Sequence, residues 1–178
     1  LLGKPIFIDD SSNITIMDLR AKARRHMTKI GCDLIIIDYL QLMSGTSRAE
    51  NRQVEIAEIS RSIKGLAREL NVPVLALSQL SREAERDESG RPRLSHLRES
   101  GAIEQDADVV LMLYRPPVED RKDAPDLIKL DLSKQRNGPT GDIALIFQKD
   151  IQRFQNAEVG ASHQEPPPSH RDDDDSPF

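Results

Sequence analysis

The chain is poor in cysteine and aromatics: one Cys, no Trp, two Tyr and four Phe in 178 residues. A lone Cys32 excludes a disulfide framework and fits a reducing cytoplasm. Aromatics at 3% leave little material for a base-stacking platform on single-stranded nucleic acid. No apolar run approaches the roughly 18 residues that span a bilayer, and 31% of the residues are charged, so no membrane partner is expected. No His/Cys spacing suggests zinc. The first residue is Leu rather than Met, with no charged, apolar leader before it, so the expectation is a fragment of a longer protein without a signal peptide.

What is present suits one globular domain, with 37% apolar residues. The net charge of −5 is concentrated at one end. From Asn156 onward six acidic residues face only Arg171, which leaves 24 basic and 24 acidic residues in the body. Nucleic-acid contact must therefore come from a local cluster of cations, not from a globally basic surface.

Thr15 and Asp18 form a capping box ahead of apolar residues at helical spacing from Ile16 to Ile30, and Gly31 stands where the helix should end. A second helix is predicted through Ile56, Ile59, Ile63, Leu66 and Leu70. Pro5–Ile8, Leu34–Ile37, Val72–Leu77 and Val109–Leu113 read as strands. The later three are apolar on both faces, as in a parallel sheet covered by helices. Ser81–Leu97 is polar and aperiodic and is expected to be a mobile loop, with a short helix over Glu99–Asp106. Beyond Leu127 apolar and polar residues alternate on either side of Gly138-Pro139-Thr140-Gly141, predicting an antiparallel edge hairpin. Pro166–Pro168 and the Asp run predict a disordered tail over 156–178. The fold class is α/β, a mostly parallel sheet flanked by helices.

Ligands of such sheets bind at the carboxyl ends of strands, where Asp38 and Gln79 fall. A carboxylate at the tip of a buried strand can hold Mg²⁺ beside nucleotide phosphates, although a structural Asp accounts for the same pattern equally well. Gln79 has the chemistry to contact a γ-phosphate or its attacking water. By itself, a Gln ending a strand at the surface is the simpler reading. Arg20, Lys22, Arg24, Arg25, His26 and Lys29 look like DNA-binding material but fit better as the solvated or inter-subunit face of an amphipathic helix.

Four segments resemble, in order, motifs of the bacterial replicative helicases of the DnaB family: Ile36–Met43, Ala76–Arg82, Leu97–Asp108 and Lys134–Gly141. The resemblance covers residues 1–155. It implies the distal part of a RecA-like ATPase domain that uses ATP and Mg²⁺, assembles as a homo-hexamer and moves 5′ to 3′ on single-stranded DNA. Primase and a helicase loader are implied partners. By motif, Asp38 corresponds to the magnesium-associated carboxylate and Gln79 to the γ-phosphate sensor. Arg98, Glu99 and Gly101 correspond to the pore-loop segment that holds the DNA backbone. Lys134 and Arg136 correspond to a pair that reaches the neighbouring subunit's nucleotide. The residue chemistry suits these roles: Arg98 offers a charge-assisted phosphate contact, and Gly101 lets backbone amides approach closely.

The sequence departs from that pattern in several places. No G-x-x-x-x-G-K-[ST] loop occurs, and the upstream carboxylate that polarises water, the amino-terminal collar and its linker are missing. His96 stands where relatives often carry Asp. A recombinase-like or clock-type ATPase is a second reading, disfavoured by the Leu97–Asp108 and Lys134–Gly141 motifs. A binding or assembly module without ATPase activity is a third.

Overall fold

A computed structural model describes residues 3, 5–45, 50–87, 90–97, 101–122 and 124–157. Arg98 and Glu99, expected at a DNA contact, and residues 158–178 of the acidic tail lie outside them.

The first helix, α1 (Ile16–Lys29), starts at the Thr15/Asp18 box: the Thr15 hydroxyl accepts from the Asp18 N–H at 3.1 Å, and the Asp18 carboxylate accepts from Thr15. It ends at Ile30 and Gly31, whose φ of +90° is a conformation that glycine adopts without steric cost. Strand β1 (Ile35–Ile37) leads to helix α2 (Arg52–Leu70), capped by Asn51 at one end and by Asn71 in the left-handed region at the other. Strand β2 (Val74–Ala76) pairs with β1 in parallel, Ile36 opposite Leu75. The core lies between α1, α2 and the inner face of this pair, where Ile16, Ile37, Leu40, Met43, Ile56, Ile59, Ile63 and Ile103 form one buried cluster. Its α2 members recur at steps of three and four, as the sequence periodicity predicts.

Short helices α3 (Glu83–Arg86) and α4 (Gly101–Asp106) follow. Then β3 (Val109–Tyr114), β4 (Leu127–Gln135), β5 (Gly141–Gln148) and β6 (Arg153–Asn156) form an antiparallel meander in chain order. Between Val110/Lys134 and Leu111/Leu132 the register shifts, with Ser133 as the extra residue of a β-bulge.

Several sequence expectations change. Among the described residues the parallel sheet has two strands, not most of the strands, and β3 belongs to the antiparallel meander. The predicted double-sided burial also fails: Ile36 is 59% exposed, and Leu75, Val109, Leu111 and Leu113 line similarly open faces. Only one face of these strands is buried, and the other is about half exposed. Pro5–Ile8 pairs with no described strand, so it is not one itself; its Phe7 ring meets His26 edge-on. The described residues of the 81–97 segment, 81–87 and 90–97, carry local backbone and ion-pair ties, described below. The edge hairpin is present as expected, with β6 added beyond it.

Candidate nucleotide and DNA-contact site

Parallel pairing continues past the ends of β1 and β2. The Leu77 N–H donates to the Ile37 carbonyl at 2.9 Å, and the Leu40 N–H donates to the Leu77 carbonyl at 2.9 Å. Asp38 and Gln79 are thereby held at one carboxyl edge, both exposed. Among the described residues the Asp38 carboxylate accepts no hydrogen bond and forms no ion pair, so nothing within them competes for it.

Gln41 registers the two strand ends against each other. Its Nε2 donates to the Ser78 hydroxyl at 3.1 Å and to the Gln79 carbonyl at 3.3 Å, while its Oε1 accepts from the Gln79 N–H at 3.2 Å. Behind it, Arg52 Nη2 donates to the carbonyls of Gln41 (2.8 Å) and Met43 (3.2 Å), and its Nη1 pairs with Glu55. The Gly45 N–H on the Glu55 carboxylate, at 2.8 Å, and then the Arg52 guanidinium hold that acid below the ordinary carboxylate range. The turn after Asp38 is therefore fastened to the first turn of α2 by a charged network.

From Gln79 the chain makes an excursion and returns. Leu80 and Leu97 pair as an antiparallel bridge, and the Ser81 N–H donates to the His96 carbonyl at 2.9 Å. Inside this closed loop the nearly buried His96 accepts at Nδ1 from the Arg93 N–H at 3.1 Å, and Asp87 lies 3.4 Å from Arg93 and 3.8 Å from His96. The residues that follow Gln79 and the first residue of the Leu97–Asp108 motif are thus brought to one place.

The same loop is bound to the hairpin. Arg91 reaches Asp131 at 3.1 Å and Asp142 at 3.0 Å, two carboxylates directly opposite each other on β4 and β5. Asp131 is 5% exposed. Burial pushes its carboxyl up, but hydrogen bonds from Arg91 and from the Ser133 hydroxyl (2.8 Å) more than offset this and leave it below the ordinary range.

Near the end of β4, Lys134 Nζ donates to the Glu104 carbonyl, and just past the strand Arg136 Nη2 donates to the Gln105 carbonyl, both in the last turn of α4. Arg136 also lies 3.4 Å from Asp108, which Lys64 holds as an ion pair from α2. The two cations therefore point to the same side, and within this chain they bind the carbonyl end of α4, where cations are favoured. The bulge at Ser133 makes this possible. Lys134 stands opposite Val110 and Asp131 opposite Met112, and both of those partners are buried on the inner face. Gly101 opens α4, and a Cβ there would meet no described atom within 4 Å, so the chain's own packing does not demand glycine.

Sequence reasoning placed Asp38 with Gln79, and Lys134 with Arg136, where the structure brings them together. It assigned no role to Gln41, Arg52, Glu55, Arg91 or Asp131. Gln41 lay inside a quoted motif. Asp131 was hidden by an alternation in which the polar face of a strand looks solvated.

The described residues form an α/β domain in which a parallel strand pair holds Asp38 and Gln79 at one carboxyl edge. Residues 1–156 match the family of the DnaB-like helicase C terminal domain, and the chain belongs to that family. It is 49% identical over 165 residues to the replicative DNA helicase DnaB of Geobacillus stearothermophilus, a match over 92% of this chain and 36% of that protein. With the protein of the same name from Mycobacterium leprae it shares 51% identity over 156 residues, 85% of this chain and 25% of the other. Among solved structures it resembles a DnaB-like replicative helicase studied with primase, at TM-score 0.77, 39% identity, and coverage of 85% of this chain and 37% of that one. It also resembles a second solved structure, that of an ATPase domain, at TM-score 0.74 and 39% identity, covering 82% of this chain and 52% of the other. The chain thus spans about a third of the length of the first of these relatives.

Proposed function

We propose that this chain is the distal part of a replicative helicase motor, which couples ATP hydrolysis to 5′ to 3′ movement on single-stranded DNA and opens duplex at a replication fork. The motor acts as a hexameric ring in the cytoplasm, with primase and a loader as partners. The observation that carries this reading is the geometry from Asp38 through Gln79 to Leu97, within a chain of this family. A nucleotide-facing strand end and the entry to a DNA-contact segment meet at one backbone bridge.

The residues fit ATP with Mg²⁺ in part. Asp38, unpaired among the described residues and exposed, is the single carboxylate a largely hydrated Mg²⁺ needs beside phosphates, and no group of three or more metal-ligating side chains occurs among the described residues. The phosphate cradle is not in these 178 residues. Bound magnesium would neutralise phosphate charge and orient the phosphoryl group. Asp38 would anchor its water shell. Gln79 would hydrogen-bond the γ-phosphate or the attacking water, and Gln41 fixes the backbone from which Gln79 projects. A change at Gln79 passes to residues 97–101 through the Leu80–Leu97 bridge. Arg98, with Glu99 and Gly101, would hold the DNA backbone, which makes the grip indifferent to base sequence. Lys134 and Arg136 would serve a neighbouring subunit's phosphates.

The test joins the chain to its P-loop-bearing upstream region and measures unwinding of forked duplexes. Strand separation that needs ATP and a 5′ tail is expected. Arg98→Ala should weaken single-strand binding about equally for all sequences and flatten log affinity against log salt by roughly 0.7. A joined protein that assembles but neither hydrolyses ATP nor separates strands would favour an assembly module instead.

A further inference from the structure

Two carboxylates stand directly opposite each other on β4 and β5, Asp131 buried and Asp142 partly exposed. Like charges in that cross-strand position repel, and a buried one without a partner is costly. The hairpin tolerates the pair because Arg91 lies between them, within 3.1 Å of both. Arg91 is not a hairpin residue. It sits in the closed loop between Leu80 and Leu97, six positions before that loop ends. A little further along, Lys134 on the same inner face of β4 and Arg136 just past its end hold the carbonyl end of α4. Residues on either side of 98–101 are therefore tied to β4 or to the turn that follows it.

We propose that Arg91, bridging Asp131 and Asp142, is a positioning site that sets the DNA-contact segment against the finger-bearing hairpin, so that DNA grip and hydrolysis stay coupled. This rests on the reading of residues 98–101 as the DNA contact and of Lys134 and Arg136 as the inter-subunit pair. The bridge touches neither ATP nor DNA. It gives the loop a fixed reference on the strand that carries Lys134 and leads into Arg136. A guanidinium suits this role better than an ammonium, since its planar fork reaches two carboxylates at once. The Ser133 hydroxyl on Asp131 holds that carboxylate in the orientation Arg91 needs. Loosening the bridge leaves Asp38 and Gln79 in place while the loop loses its register on β4.

The experiment uses the chain joined to its P-loop-bearing upstream region, with Arg91→Ala, Arg91→Lys and the surface change Asp142→Asn compared with the unmodified protein. Three quantities are measured: ATP hydrolysis without DNA, its stimulation by oligo-dT, and affinity for oligo-dT. For Arg91→Ala, DNA-free hydrolysis should stay within about twofold, while affinity and stimulation fall roughly tenfold. Arg91→Lys should restore part of the loss, and Asp142→Asn should show a smaller loss of the same kind without disturbing the buried carboxylate. Should Arg91→Ala not fold, Asp142→Asn and Arg91→Lys decide the matter by the same measurements. Equal loss of DNA-free and DNA-stimulated hydrolysis would make the bridge a plain stability element and overturn the proposal. So would variants whose DNA affinity and stimulation are unchanged. If the unmodified protein binds no oligo-dT, the functional reading itself falls, a result distinct from either of these.

Discussion

The side-chain amide of Gln41 grips the backbone of Gln79 from both sides, donating to its carbonyl at 3.3 Å and accepting from its N–H at 3.2 Å. One side chain on the turn after β1 thus sets the height and direction of the residue that ends β2. Replacing it with Leu removes three hydrogen bonds at a partly exposed site, each worth roughly 0.5–1.5 kcal/mol net. Gln41→Leu should lower stability by about 1–3 kcal/mol, read from the urea midpoint. In the joined protein it should lower kcat while nucleotide affinity holds, because Gln79 loses its aim and no phosphate contact is removed. A nucleotide affinity that falls as far as kcat would show that Gln41 does more than orient Gln79.

Asp38 gives a second separation of binding from chemistry. The 178 residues alone should release no phosphate from ATP above background, since the loop whose amides and Lys bind phosphates is not among them. Joined to that loop, Asp38→Asn should still bind nucleotide but lose most hydrolysis, because it weakens magnesium placement more than phosphate contacts. Hydrolysis near the unmodified rate would make Asp38 an ordinary strand end.

How much of this was readable beforehand depends on whether the cause is local. The Thr15/Asp18 box, the α2 periodicity and the turn between β4 and β5 are written in neighbouring residues, and each appears where expected. The shared edge of Asp38 and Gln79 follows from two consecutive strands running parallel, which places both carboxyl ends on one side. The rest depends on partners far away in the chain. Burial on both faces of Ile36 and Leu111 needs a covering layer that the described residues do not supply. The alternation from Ile128 to Ser133 marks two faces without saying which one is wet. Asp131 lies on the packed one because Arg91, 40 residues earlier, folds onto it. The ties of the polar loop are hidden for the same reason: they run to a hairpin and to its own far end, and periodicity reports neither.

Acid should expose these long-range ties. Asp108, beside Lys64, and Asp131, where Arg91 and Ser133 outweigh burial, both sit below their ordinary value of 3.8. Glu69, exposed and held by Arg24 and Arg20, is lowered from 4.5 to about 2. Each group binds a proton less readily in the fold than in the unfolded chain. The stability they contribute is therefore fully present above the ordinary values and declines as pH falls from about 4.5 towards 2. Melting temperature should be level from pH 7 to roughly 5 and then drop. Asp131→Asn should lower stability at pH 7 by roughly 1–3 kcal/mol and make the acid limb shallower. A melting curve unchanged from pH 7 to 3 would mean that these pairs do not hold the fold.

Lys134 and Arg136 present two roles that one experiment separates. Within the chain they cap the carbonyl end of α4, and Arg136 shares Asp108 with Lys64. Arg136 remains half exposed, so its contacts are of the surface kind, worth roughly 0–1 kcal/mol, and give way readily to a denser negative charge. A polyphosphate on an adjoining subunit is such a charge. There the guanidinium would neutralise charge developing in phosphoryl transfer, an effect of roughly 10³–10⁵ in rate for arginine fingers generally. If Arg136 acts across the interface, joined subunits with Arg136→Ala keep a complete nucleotide site but lack the finger their neighbours need. Joined subunits with Asp38→Asn have a disabled site and an intact finger. Each population alone should hydrolyse ATP poorly, and mixing the two should restore activity, since some interfaces then combine an intact Asp38 with an intact Arg136. If Arg136 only caps α4, its substitution would lower the melting temperature, and mixing would return no more than the sum of the separate rates. Fingerless subunits that hydrolyse ATP at the full rate without any partner would leave Arg136 as a helix cap and nothing more.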